Sequence, residues 1–465
     1  MKKKTILVSA LSLFMMVGFV SCGDDNEVIP NPNPGTETNY VKGTDTDGKT
    51  TYNKLLFDEN GNPDEKGIVI GNGEKEMVFK GKETLAKGTY LLKGWIYVAD
   101  GSELTIEAGT IIKGDKETQA CLIVEPGGKL IAKGTKEAPI VFTSEQPKGQ
   151  RKPGDWGGLI LCGNAKNNQG VQQIEGGPRT KHGGDNDADN SGILSYVRVE
   201  FAGYPFQKDK EINGITFGSV GNGTQVDHLQ VSFSNDDSYE WFGGCVNAKY
   251  LVAYSGWDDD FDTDNGFSGN VQYGLVVRYP RLADTSQSNG FESDNCADGA
   301  EVSPFTTATF SNITFIGPKA YDGFLNTNDY INGGEYYPNN GSSLGKFQAA
   351  MQIRRSSHLA CFNSIAVGYP IGLIVDGEKG NTVQFAKDGN LKLQNIIFAG
   401  MDAVGTDKNK QYEDLPYEDG KEYSFSHEYF INQPGNLVFD NCSDLLLKDA
   451  RNAGAGYLPQ SGRMD

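Results

Sequence analysis

Histidine is scarce in this chain: His182, His228, His358 and His427 are the only four in 465 residues, and they lie scattered. None stands at a spacing that completes a zinc site or a Ser-His-Asp arrangement. No CxxC pair occurs, and neither a glycine-rich phosphate loop nor a nucleophile motif for acyl transfer is present. These absences weigh against zinc hydrolases, P-loop enzymes and serine or cysteine hydrolases. Positive charge is also short, with 42 Lys and Arg against 61 Asp and Glu for a formal charge of −19. Such a surface repels nucleic acid and anionic lipid; it suits cations, or neutral and basic partners. No stretch shows a sustained helical period.

The one long apolar run is at the N-terminus. Met1-Lys2-Lys3-Lys4 is a positive patch, Thr5 to Val20 has the length of a signal-peptide core, and Phe19-Val20-Ser21-Cys22 closes it. The run is short for a membrane span, and no stop-transfer charges follow. A plain secretory signal, with Cys22 incidental, is the blander reading. The closing residues resemble a lipobox, with Phe19 where leucine is commoner. That resemblance implies cleavage before Cys22, so residues 1–21 are expected to be a signal peptide and Cys22 an acylated membrane anchor. Gly23-Asp24-Asp25-Asn26-Glu27 resembles the surface-export signal of Bacteroidetes lipoproteins, which implies the outer face of the outer membrane. Residues 22–40, rich in Pro, Asn and Thr, read as an extended tether. Residues 41–90 are expected to cap the domain that follows, and the C-terminal tail its other end. Removing the first 21 residues takes away three lysines and no acids, leaving −22.

Six further cysteines follow: Cys121, Cys162, Cys245, Cys296, Cys361 and Cys442. Their number is even and export permits disulfides. They are widely spaced in apolar or glycine-rich segments, which suits buried single thiols equally well.

Short β-rich runs recur along the chain, each followed by a turn. Val98-Ala99-Asp100-Gly101-Ser102-Glu103-Leu104 is echoed by Val124-Glu125-Pro126-Gly127-Gly128-Lys129-Leu130. From about residue 195 the unit becomes a strand with an aromatic near its end, then a small residue and a corner: Val199-Glu200-Phe201-Ala202-Gly203, Val231-Ser232-Phe233-Ser234-Asn235, Ile397-Phe398-Ala399-Gly400. A β-sandwich has no need of such similarity at a coil-sized period. The expected fold for 91–465 is therefore all-β, a single-stranded parallel β-helix with inserted loops. IEAGTIIKG, GTKEAPIVFTS and WGGLIL resemble the opening coils of right-handed β-helix proteins of pectate-lyase-like shape. DNSGILSYVRVEFAG, SYEWFGGCVNAKYLVAY, DDDFDTDNG and SNGFESDN resemble β-helix surface lipoproteins of Bacteroidetes. That group is described by fold, so the resemblance brings no catalytic residues with it.

Three coils align as Asp236-Asp237-Ser238-Tyr239-Glu240, Asp258-Asp259-Asp260-Phe261-Asp262 and Ser288-Asn289-Gly290-Phe291-Glu292, with Tyr321-Asp322-Gly323-Phe324-Leu325 as a fourth. Strand alternation sends Tyr239, Phe261, Phe291 and Phe324 inward, and Glu240, Asp262 and Glu292 outward, with Asp264 and Asp294 two places on. Rungs lie about 4.8 Å apart, so like charge sits above like charge, and protons, cations or a solvated face must relieve it. Calcium takes several carboxylate oxygens, which makes Asp260, Asp262, Asp264, Glu292 and Asp294 candidate ligands. An internal ion pair with Arg278 or Arg281 is the alternative. Asp185, Asp187 and Asp189 form a second acidic loop resembling the first half of an EF-hand, without its twelfth-position glutamate.

Three functions stay open on this reading. The first is a surface binder holding calcium and a glycan or protein partner on the face around 235–295, with Trp241, Trp257 and Tyr279 as aromatic contacts. The second is a polysaccharide hydrolase or lyase. Glu240, Asp262 and Glu292 then supply a retaining pair, or Arg278, Arg281, Arg354 or Arg355 a base. The third is a purely structural or adhesive surface protein.

Overall fold

The computed structural model describes residues 40–44, 50–54, 68–206, 212–332, 342, 344–407 and 424–445. The stretch expected to be a signal peptide, Cys22, most of the expected tether, part of the expected cap and the tail beyond 445 lie outside the described residues. No helix among the described residues is long and apolar enough to cross a membrane.

Eleven strands stack in one sheet in unbroken chain order, from Met77–Phe79 to Ala403–Thr406. Every pairing is parallel and in register, so the chain advances one strand per coil. The chain folds as an all-β parallel β-helix. Apolar residues at alternate positions build columns inside it. One runs Ile96, Leu122, Leu159, Ile215, Tyr239, Phe261, Phe291, Met351 and Leu373, all at most 2% exposed. Aliphatic coils therefore give way to aromatic ones in the middle, and Tyr239 stacks on Phe261 at 5.6 Å.

The other side of each coil belongs to a second sheet. In the early coils it comprises two separate strands, such as Lys129–Lys133 and Ile140–Ser144. These merge in Gly192–Glu200, which pairs with both, and the long strand persists through Thr309–Ile316 before dividing again. Each long strand bends at one residue with left-handed backbone: Tyr196, His228, Tyr250, Tyr273 and Asn312. Side chains from both sheets meet in one continuous core.

The coils begin earlier than expected. Thr50–Lys54 already pairs in parallel with Lys82–Leu85, and Ile68–Ile70 with Thr89–Leu92, so much of the stretch read as a cap is helix wall. At the far end, helix Phe425–Asn432 covers the coil, with Phe430 stacked on Phe398 at 3.9 Å. A second correction concerns the repeat. Phe324 sits in an inserted loop against Tyr330 and Phe347, and the true rung below Phe291 and Glu292 is Met351 and Gln352. Met and Gln lack the aromatic–acid signature, so pattern matching stopped at the wrong segment.

Candidate functional site

Between Cys162 and Gly192 the chain leaves the coil and lies across the outer face of the eleven-stranded sheet. A short antiparallel pair, Gln172–Gln173 with Lys181–His182, shapes this strap. Arg179 ties it at one end, over the Tyr97 ring at 4.2 Å and paired with Glu125 at 3.0 Å. Asn168 ties the other, donating to the Asn295 carbonyl at 2.7 Å. Beneath it His182 packs on Gly218, where a Cβ would stand 2.8 Å from the imidazole, so only glycine admits the ring. Burial pushes the His182 pKa down to about 4, which keeps the ring neutral beside the Ser219 hydroxyl at 2.9 Å. A cleft of ≈ 440 Å³ opens between strap and sheet, lined among others by Gln169, Gln172, Glu175, Phe242 and Asp264.

The acidic ladder stands beside this cleft. Thr216, Glu240, Asp262, Glu292 and Gln352 form one column on successive rungs. Three residues earlier on the same coils, Asp237, Asp259 and Asn289 form another, each accepting the next coil's backbone N–H: Asp259 to Asp237 at 2.8 Å, Asn289 to Asp259 at 2.5 Å, Ala349 to Asn289 at 3.0 Å. The side chains thus continue the backbone ladder through the corner, which explains the acid or amide there on these three coils.

Burial, then repulsion from Asp262, pushes the Glu240 carboxyl well above the usual range. Burial and Asp236 do the same to Asp237, and burial and Glu292 to Asp262. Asp264 rises to about 7 through burial and Asp294. Glu292 rises to about 8 through burial even though Arg354 pulls it back. Asp237, Glu240 and Asp262 each offer an oxygen within 4.8 Å of the others, as do Asp236, Asp237 and Asp258. Asp237 belongs to both groups. The fit to a hard cation is direct: the donors are carboxylates, and Asp262 Oδ1 is buried without a hydrogen-bond partner.

The expected residues divide. Glu240, Asp262 and Glu292 do form one column, and Asp264 lines the cleft next to it. Glu292 and Asp294 are held by arginine: Arg354 bridges both, 2.7 Å from Asp294, and Arg355 reaches Asp294 at 2.6 Å. Asp260 is corrected from candidate ligand to ion-pair partner. It sits at the corner rather than on the strand, and faces Arg278 at 3.1 Å with both side chains fully buried. That burial also removes Arg278 from the candidate catalytic groups, since no substrate reaches it. Arg281 stacks on Tyr330 at 4.3 Å. The Asp185–Asp189 loop does not converge on a point. Asp187 pairs with Lys166 at 2.8 Å, and Asp189 turns in toward Ser191 and the Gly221 N–H. Trp241 and Trp257 are corrected as well: both are fully buried, Trp241 between Phe217 and Phe267 in the core and Trp257 in a corner cluster. Tyr279 packs half-buried against that same corner.

Asp236, Asp237, Asp258, the strap and Asn213, whose amide donates to the Glu240 carboxylate, were missed as site components. The doublets Asp236-Asp237 and Asp258-Asp259 at one offset before Tyr239 and Phe261 were the available signal. Cys121, Cys162, Cys296 and Cys361 are buried thiols that form no disulfide.

The pectate-lyase like beta helix domain family matches this chain over residues 77–429. The chain belongs to that family. The match opens on the first strand of the eleven-stranded sheet and closes within the terminal helix, so this β-helix domain contains the whole site. Comparison with curated proteins and with solved structures finds no match.

Proposed function

We propose that this protein is a lipid-anchored surface β-helix that holds calcium at Asp237, Glu240 and Asp262 and engages a glycan in the adjoining cleft. A charge imbalance carries the reading. These three carboxylates crowd within 4.8 Å of one another, while the nearby arginines pair with Glu292, Asp294 and Asp260 instead. Crowded carboxylates take up protons or a cation. A hard divalent ion suits an all-oxygen set that Asp236 and Asp258 extend. The family supports a polysaccharide-related role, and the cleft supplies amides beside a partly apolar wall. The lipobox-like Cys22 and the acids behind it support the anchor.

Thermal unfolding of the chain from Cys22 onward, in EDTA and in millimolar Ca²⁺, tests the metal. Ion at a hundredfold excess over its Kd stabilises by about 2.7 kcal/mol, which appears as a rise of several degrees. An unchanged transition overturns the calcium site.

A glycoside hydrolase is the second reading, favoured by the short separation of Glu240 and Asp262 and by their raised pKa values. Retaining enzymes place two carboxyls about 5 Å apart and keep one protonated. Release of reducing ends that disappears in Asp262→Asn selects it. A lyase fares worse, because its arginine base must lose a proton and Arg354 is held well above its ordinary pKa by Glu292 and Asp294 against the cost of burial.

A further inference from the structure

The second sheet carries a feature that the carboxylate site does not use. At the bend of successive coils stand Tyr196, His228, Tyr250 and Tyr273, with φ of 51°, 51°, 58° and 64°. Their rings stack on the outside of the helix at 4.2, 4.5 and 5.1 Å. Tyr250 and Tyr273 remain 45% and 43% exposed. Left-handed backbone is rare for bulky side chains, whereas asparagine tolerates it. The next three coils do place Asn312, Asn363 and Asn395 there. The backbone therefore asks for an asparagine-like residue, and the rings answer some other requirement. Strained positions of this kind concentrate at functional sites.

Beside the ring column runs a groove of ≈ 590 Å³, with Val252 and Leu275 along its floor and Lys136, Arg198, Gln230 and Asn312 as its polar groups. Among the described residues no Asp or Glu lines it, in a chain with 61 acids. Arg198 shares its guanidinium with Glu200 at 2.5 Å, yet 42% of its side chain stays exposed. Asp227, behind the column, is engaged by Ser195, Gln225 and His228. An apolar floor with a few placed polar groups is the usual make-up of a ligand site. Its repeat is set by the rungs, about 4.8 Å. An extended peptide advances about 3.3 Å per residue and a polyproline helix about 3.1 Å, so neither keeps step residue for rung. A pyranose unit is about as long as one rung.

We infer that this groove is a second binding surface, which takes one acidic polysaccharide chain laid along the helix axis. Sugar faces rest on the apolar floor and ring edges, and sugar carboxylates meet Arg198 and Lys136. The surface lies on a different sheet from the carboxylate site and needs no cation.

The test is calorimetric titration of the chain from Cys22 onward, in EDTA, with a mannuronate hexamer and with neutral cellohexaose. The mannuronate hexamer binds, and cellohexaose binds at least tenfold more weakly. Tyr250→Asn/Tyr273→Asn weakens the mannuronate hexamer at least tenfold while the unfolding temperature holds or rises. Arg198→Gln weakens it severalfold, most at low salt. Absent binding, or binding indifferent to both groove variants, overturns the inference. So does a double variant that loses stability and keeps affinity, which makes the rings structural. Should the double variant not fold, Arg198→Gln decides alone. Because EDTA is present throughout, failure here is distinct from failure of the calcium site, which shows only as an absent Ca²⁺ shift.

Discussion

The inward and outward columns of the middle coils are neighbours in sequence: Tyr239 beside Glu240, Phe261 beside Asp262, Phe291 beside Glu292. They share strands, register and spacing. Stacking like on like is favourable for the inner column, because aromatic rings pack on each other and leave water. It is unfavourable for the outer one, because like charges directly opposite repel. One repeat thus produces a stabilising ladder and a strained one, a residue apart. The outer column persists with help from Arg354 and Arg355 at its lower end, while at its upper end Glu240 meets the Asn213 amide instead.

Breaking the inner column has the largest effect. Phe261→Ala is expected to cost about 3–5 kcal/mol in denaturant unfolding, since the buried ring leaves a cavity between rungs. A cost below 1 kcal/mol would show that the column collapses to fill it. Arg354→Gln comes next. It strips Asp294 of a partner that is only 17% exposed, at about 3 kcal/mol in EDTA.

The two ends also separate by pH. Glu292, raised to about 8, and Asp264, raised to about 7, hold their protons more tightly folded than unfolded. Their contribution is complete below the unfolded value of about 4 and is lost as pH rises through 7 to 8. Neutral His182, lowered to about 4, works the other way, contributing above about 6.5 and fading as pH falls to 4. The informative measurement is therefore the difference between wild type and Glu292→Gln across pH 4 to 8 in EDTA: the wild type loses unfolding temperature relative to the variant as pH rises. Parallel curves would mean that Arg354 already keeps Glu292 ionised.

The smallest effect is the sharpest contrast with Phe261. Asp262→Asn removes one charge from the crowded column and should raise stability in EDTA by up to about 1 kcal/mol. The same variant should lose most of the Ca²⁺-induced rise. Neighbouring substitutions would then differ in sign.

Much of this was legible in the residues. The coil repeat, the inward aromatics and the outward carboxylates follow from alternation and spacing, and the register bears them out. Asp260 was misread because alternation applies only within a strand, and it stands one residue before the strand begins at Phe261. Trp241 was misread for the converse reason: it lies two residues after Tyr239 and so points inward with it. Arg354 and the strap were out of reach of local pattern. Arg354 meets Asp294 across a 60-residue excursion, which no short-range period encodes.

The sequence by itself determined a parallel coil with an apolar interior and stacked acids outside, because strand period and rung repeat are local properties of the chain. Only the tertiary structure decided which acids meet an arginine, which lie beside the cleft and where Asp237 joins two carboxylate groups. Those outcomes depend on how far each inserted loop returns before the next rung, and on the strap that crosses several coils. The bend that lines up Tyr196, His228, Tyr250 and Tyr273 is of the same kind, since its stacking exists only once the coils are superposed.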